Sequence, residues 1–62
     1  MASKALTERI DKIKELVEEL KSEFEEKFDS RSEAWQESER GEACMSNIEA
    51  CQNAIDALEE IE

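Results

Sequence analysis

Six apolar side chains step through the first half of the chain at intervals of four and three residues: Leu6, Ile10, Ile13, Val17, Leu20 and Phe24. This is the seam of a helix that buries one stripe against other helices, and no proline interrupts it. Leu16 and Phe28 widen the stripe. Ser3 or Thr7 is placed to cap the start. Opposite charges recur four residues apart, as in Lys4 with Glu8 and Lys14 with Glu18. Each such pair contributes only about 0.2–0.5 kcal/mol. The spacing predicts one helix over about residues 3–28, roughly 39 Å long at 1.5 Å per residue.

The run FDSRSEAW breaks the pattern. Asp29, Ser30 and Ser32 are turn and cap residues, and Ser30-Arg31-Ser32-Glu33 fits a capping box, with Ser32 an equally good cap. A second helix is expected over about residues 33–61, with the turn at 29–32. Two long helices joined by so short a link make an antiparallel hairpin. The expected fold is therefore all-α, a single helical-hairpin domain spanning the 62 residues. Trp35 should meet Phe24 and Phe28 at the turn end, because residues just before and after a hairpin turn come together.

The second helix carries its own seam: Gly41, Cys44, Ile48, Cys51, Ile55 and Leu58, extended toward the turn by Ser38 and Trp35 and flanked by Met45, Ala54 and Ile61. Both cysteines sit in seam positions, where a free thiol packs as a small apolar group. Seven residues apart on one helix is about 10.5 Å of rise, too far for an intrachain disulfide. With no histidine in the chain, two thiols cannot complete a four-ligand zinc site, and the neighbouring Glu42 and Glu49 do not favour a reactive thiolate. Gly41 costs about 1 kcal/mol relative to alanine within a helix. Either it lies opposite Val17 or Leu20 and admits a large side chain, or it marks a kink.

The net charge is −10, which argues against direct binding to nucleic acid or an anionic membrane. No run of 18 apolar residues exists and the start of the sequence has no uninterrupted apolar core, so a cytoplasmic protein is expected. The charge is unevenly shared. Residues 3–28 carry six basic against eight acidic side chains, whereas residues 33–62 carry Arg40 alone against nine acids. Glu37, Glu39, Glu42, Glu49, Asp56, Glu59 and Glu60 make the second helix a nearly one-sign surface, suited to steering a basic partner. No catalytic constellation, phosphate loop or metal-ligand spacing is present, so neither enzyme activity nor a cofactor is expected.

The run RSEAWQESERGEA, followed by the acidic tail IEACQNAIDALEEIE, resembles small helical-hairpin proteins of bacteriophages and prokaryotic mobile elements, most of which have no characterised activity. The likeness covers about residues 29–62, rests on WQES and RGEA, and carries over no catalytic residue. It implies a phage-type accessory protein, in the host cytoplasm, that binds and modulates or inhibits a host protein. An acidic mimic of nucleic acid and a small-ligand binder with a pocket between helices are the alternatives.

So short a chain has little core of its own, and self-association is the usual remedy. A homodimer forming a four-helix bundle is expected. The candidate core and dimer seam comprises Leu6, Ile10, Ile13, Val17, Leu20 and Phe24 from the first helix. From the second it takes Trp35, Gly41, Cys44, Met45, Ile48, Cys51, Ile55 and Leu58. A twofold axis beside Ile48 would set Cys44 opposite the partner's Cys51; a seam built from the first helix competes on equal packing grounds.

Overall fold

Three serines start the three helices of the chain, whose computed structural model describes residues 3–61. Ser3 caps α1 (Lys4–Asp29), its hydroxyl accepting from the Leu6 amide at 3.3 Å. Ser32 caps α2 (Glu33–Glu37) through the Trp35 amide, and Ser38 caps α3 (Glu39–Glu59) through the Gly41 amide. Each supplies an acceptor to an amide that a helix start leaves unpaired. The described residues are 88% helical and contain no strand, and α1 and α3 pack against each other as an antiparallel hairpin.

The second helix is not continuous from 33 to 61. Ser38 leaves the helical region at φ −76°, ψ 171°, closing α2 and opening α3 at once. Its amide and its hydroxyl both donate to the Trp35 carbonyl, and the hydroxyl also accepts from Gly41. Gly41 explains why the corner closes. A β-carbon there would overlap the backbone carbonyls of Trp35 and Gln36. The glycine thus answers to its own chain's preceding helix, at a kink, and not to Val17 or Leu20.

At the turn, Ser30 closes α1, and the Gln36 side-chain amide donates to the carbonyls of Phe28 (2.8 Å) and Arg31 (3.3 Å). Backbone acceptors freed by the end of α1 are satisfied in this way. Phe28 meets Trp35 edge-on, with ring centroids 6.3 Å apart at 63°, and the Arg31 guanidinium lies 5.3 Å from the Trp35 ring centre. The aromatic cluster expected at the turn is present, with Phe24 lining the same cleft as Trp35.

The interior is thin. Gly41, Cys44, Cys51 and Ile55 are buried on α3, while α1 buries no residue fully. The face that α1 turns toward α3 is Ile10, Lys14, Val17, Lys21, Phe24 and Phe28, all half-buried. Only Ile10, Val17 and Phe24 of the anticipated seam belong to it. Lys14 and Lys21 take the remaining places, laying their methylene stems along the hairpin and ending on Glu59 Oε1 (3.0 Å) and Gln52 Oε1 (2.6 Å). Long lysine stems do the work of apolar side chains here, so the hydrophobic spacing alone misplaces the contact by part of a turn. The pair Lys14–Glu59 is the one ion pair among the described residues. No helix of the described residues is long and apolar enough to cross a membrane.

Candidate functional site

The acidic residues of the second half are distributed by the helical repeat. Glu42, Glu49 and Asp56 are seven residues apart and form one row along α3, with Met45 between the first two and Glu60 past the end. The repeat directs this row away from the buried positions 44, 51 and 55. All seven acids nominated from the sequence, Glu37, Glu39, Glu42, Glu49, Asp56, Glu59 and Glu60, are exposed. Among the described residues only Glu59 has an ion-pair partner, and Asp56 accepts a hydrogen bond from Gln52 at 2.9 Å. The Glu59 carboxylate, hydrogen-bonded to Lys14 and attracting its charge, raises the lysine above its ordinary value. Glu42, Glu49 and Glu60 are exposed and have no ion-pair partner among the described residues.

No protein-family model, curated protein or solved structure matches the chain. The physical surface therefore carries the functional argument alone.

The cysteines occupy the interior of the hairpin. Cys44 and Cys51 are free thiols, 5% and 8% exposed, and the Cys44 thiol donates to the Phe24 carbonyl at 3.4 Å. They pack against α1 of their own chain, as small residues where two helices approach closely. A dimer axis beside Ile48 would need these thiols on an outer face, and their burial against α1 takes them away from it. Ile48 and Leu58 are half-buried on the same face of α3. The other nominated seam residues lie outside. Leu6, Ile13 and Leu20 are nearly half exposed on the flank of α1 beside Leu16, and Met45 sits in the acid row.

One feature has no counterpart in the spacing of the sequence. At the turn end a cleft of about 340 Å³ is lined by Phe24 and Trp35 and by Lys27, Arg31 and Arg40. Three of the chain's eight basic side chains thus meet beside its only tryptophan. They come from α1, the turn and α3, which is why no local motif announces them.

Proposed function

We propose that the chain is a small acidic protein–protein interaction module, of the phage accessory kind, that binds and modulates or inhibits a host protein in the host cytoplasm. The observation that carries this reading is the uncompensated acid row of Glu42, Glu49, Asp56 and Glu60 on the outer side of α3. A one-sign surface on a rigid helix steers a basic partner and discriminates against acidic ones. Met45, 43% exposed within the row, adds an apolar contact that adapts to a partner's shape.

The test is capture from host extract with two baits, the native chain and a chain carrying Glu42→Gln, Glu49→Gln, Asp56→Asn and Glu60→Gln. A partner retained by the native bait only, and lost as salt rises from 50 to 300 mM, supports the reading. A partner held equally by both baits refutes the assignment to this row. The nucleic-acid mimic is the special case in which a short duplex DNA or RNA competes the partner off. The cleft at the turn favours a second reading, in which its three cations and two aromatic rings bind a small aromatic anion. Quenching of Trp35 fluorescence by a panel of aromatic carboxylates measures that directly.

A further inference from the structure

The hairpin has two unlike sides. On one, Lys14 meets Glu59 and Lys21 meets Gln52, and a shallow groove there is lined by Glu18, Glu25 and Ser22 as well. The opposite side is apolar over most of its length, and the basic cleft of Lys27, Arg31 and Arg40 opens at its turn end. There α1 presents Leu6, Ile13, Leu16 and Leu20, each 46–53% exposed. There α3 presents a row of small residues at seam spacing: Ala43, Asn47, Ala50, Ala54, Ala57, then Ile61. All of these are exposed except Ala54, which is half-buried. The cleft at the turn shows that both rows open to one side, since Lys27, seven residues beyond Leu20 on the same flank of α1, lines it together with Ala43 and Asn47. Each helix therefore carries two seams, one used within the hairpin and one left bare.

We infer that this side binds a second copy of the chain, face to face, with the twofold axis parallel to the hairpin's long axis, so that the large residues of each α1 enter the alanine row of the partner's α3. Three observations select this occupant. The first is surface area. The chain exposes 4937 Å², against roughly 4,100 Å² expected of a compact monomer of its mass. The excess of about 800 Å² matches what one partner buries in a standard interface. Its shape agrees: the hairpin measures 48 × 15 × 10 Å, one layer of two helices, and stacking two such layers makes a four-helix bundle.

The second observation is register. The bonds Lys14–Glu59, Lys21–Gln52 and Cys44–Phe24 show which residues of α1 and α3 lie at the same height. An axis along the hairpin preserves those heights across the interface. Leu20 then falls between the partner's Ala50 and the partner's Ala54. Leu16 falls between the partner's Ala54 and the partner's Ala57, and Ile13 between the partner's Ala57 and the partner's Ile61. Large side chains meet small ones along the seam, which is the knobs-into-holes condition at even layer spacing.

The third is charge. A perpendicular axis would set α1 on α1 and α3 on α3, with Ile13 facing its own copy. Large residues would then meet large and alanine would meet alanine, and two α3 helices, each with one basic against five acidic side chains, would touch. The axis along the hairpin instead puts each α3 beside an α1 of mixed charge, with six basic against nine acidic side chains. It also leaves the acid rows on the outer surfaces, where the proposed function needs them, although the inference stands without that function.

The test combines sedimentation with engineered thiols in the full chain. The native chain should sediment as a dimer at about 10 µM. A chain carrying Leu16→Cys and Ala54→Cys should give a reducible species of twice the 7.1 kDa mass under mild oxidant. Either substitution alone, or Ile13→Cys alone, should not. Ala50→Glu, at an exposed alanine of the hairpin, should weaken the dimer by at least about 100-fold, because it places a lone carboxylate in the seam. A folded monomer at 100 µM overturns the inference. So does efficient crosslinking through Ile13→Cys without crosslinking of the Leu16→Cys and Ala54→Cys pair, which would establish the perpendicular axis. A dimer unaffected by Ala50→Glu removes this face from the interface. The crosslinking readout stays decisive if Ala50→Glu fails to fold.

Discussion

Replacing Gly41 by alanine separates the corner at Ser38 from an ordinary helical glycine. At an unconstrained helix position Gly→Ala stabilises by about 1 kcal/mol, because alanine loses less backbone freedom on folding. Here the added β-carbon overlaps the Trp35 and Gln36 carbonyls, which are backbone atoms and cannot swing aside as a flexible side chain would. Relief requires α2 and α3 to separate. That motion strains the bonds joining Ser38 to Trp35 O (3.1 Å from the amide) and to Gly41 N (3.4 Å), each contributing about 1 kcal/mol. Overpacking of a tight site costs about 1–3 kcal/mol. Setting the helical gain of about 1 kcal/mol against these costs leaves a net loss of about 2–4 kcal/mol. With a urea slope of about 1 kcal/mol/M for so small a domain, the midpoint should fall by about 2–4 M. The comparison must be made at equal chain concentration, so that self-association contributes equally to both midpoints. Tryptophan emission supplies a second readout. If the mutant escapes the overlap by straightening the second helix, Trp35 leaves Phe28 and its emission shifts to the red. A Gly41→Ala chain more stable than the native one, with unchanged emission, would refute the close approach as the reason for glycine.

Trp35→Ala should cost about 1.5–2 kcal/mol in urea unfolding, less than for a fully buried tryptophan, because the ring is only half-buried against Phe28 and Arg31. Cys44 and Cys51 should react with an aqueous disulfide reagent only slowly in the folded chain, and both should react promptly in urea, since their thiols are buried; fast labelling of either one under native conditions would contradict the packing described here. Lys14→Gln should destabilise the chain at neutral pH, and the difference from the native chain should be pH-dependent. The lysine's folded value lies above its ordinary 10.5, so its contribution is complete below that value and disappears as pH rises through the raised one, which urea titrations between pH 8 and 11.5 can follow.

Much of this architecture is legible in the sequence because local signals agree with each other. The two stripes, the cap residues at 29–32 and the aromatic residues on either side of the turn all specify a hairpin, and the structure has one. The break at Ser38 is written there too, as a cap-type residue followed by Glu39 and Glu42 in a new first turn, which is how a helix start reads. Continuity of the seam through Trp35, Ser38 and Gly41 hides it. The rotation of α1 is a different case. Leu6, Ile13 and Leu20 satisfy the seam as well as Ile10, Val17 and Phe24 do, and a spacing pattern cannot say which neighbouring flank turns inward when lysine stems complete one of them. The basic cleft is illegible for a third reason: Lys27, Arg31 and Arg40 are brought together by the corner geometry alone.

The acidity of α3 has a structural consequence apart from any partner. The Glu42, Glu49 and Asp56 row and the alanine row lie on different sides of one helix, so a second hairpin meets opposite conditions on the two approaches. From the acid side it would bring two unneutralised rows together in a medium that screens them only beyond about 8–10 Å, and contact would be opposed. From the alanine side it meets small uncharged residues that bring backbones close and leave room for Leu16 and Leu20. In the pair inferred above, repulsion on one side and fit on the other would direct association to a single face. If the inferred pairing holds, it limits the assembly to a closed pair, because each copy has one such face and a twofold arrangement uses it completely. A chain with a second apolar side would stack without end. In the pair inferred above, the surplus of acids on α3 would have a role apart from the proposed basic partner, and the same row would stay on the outside of the pair.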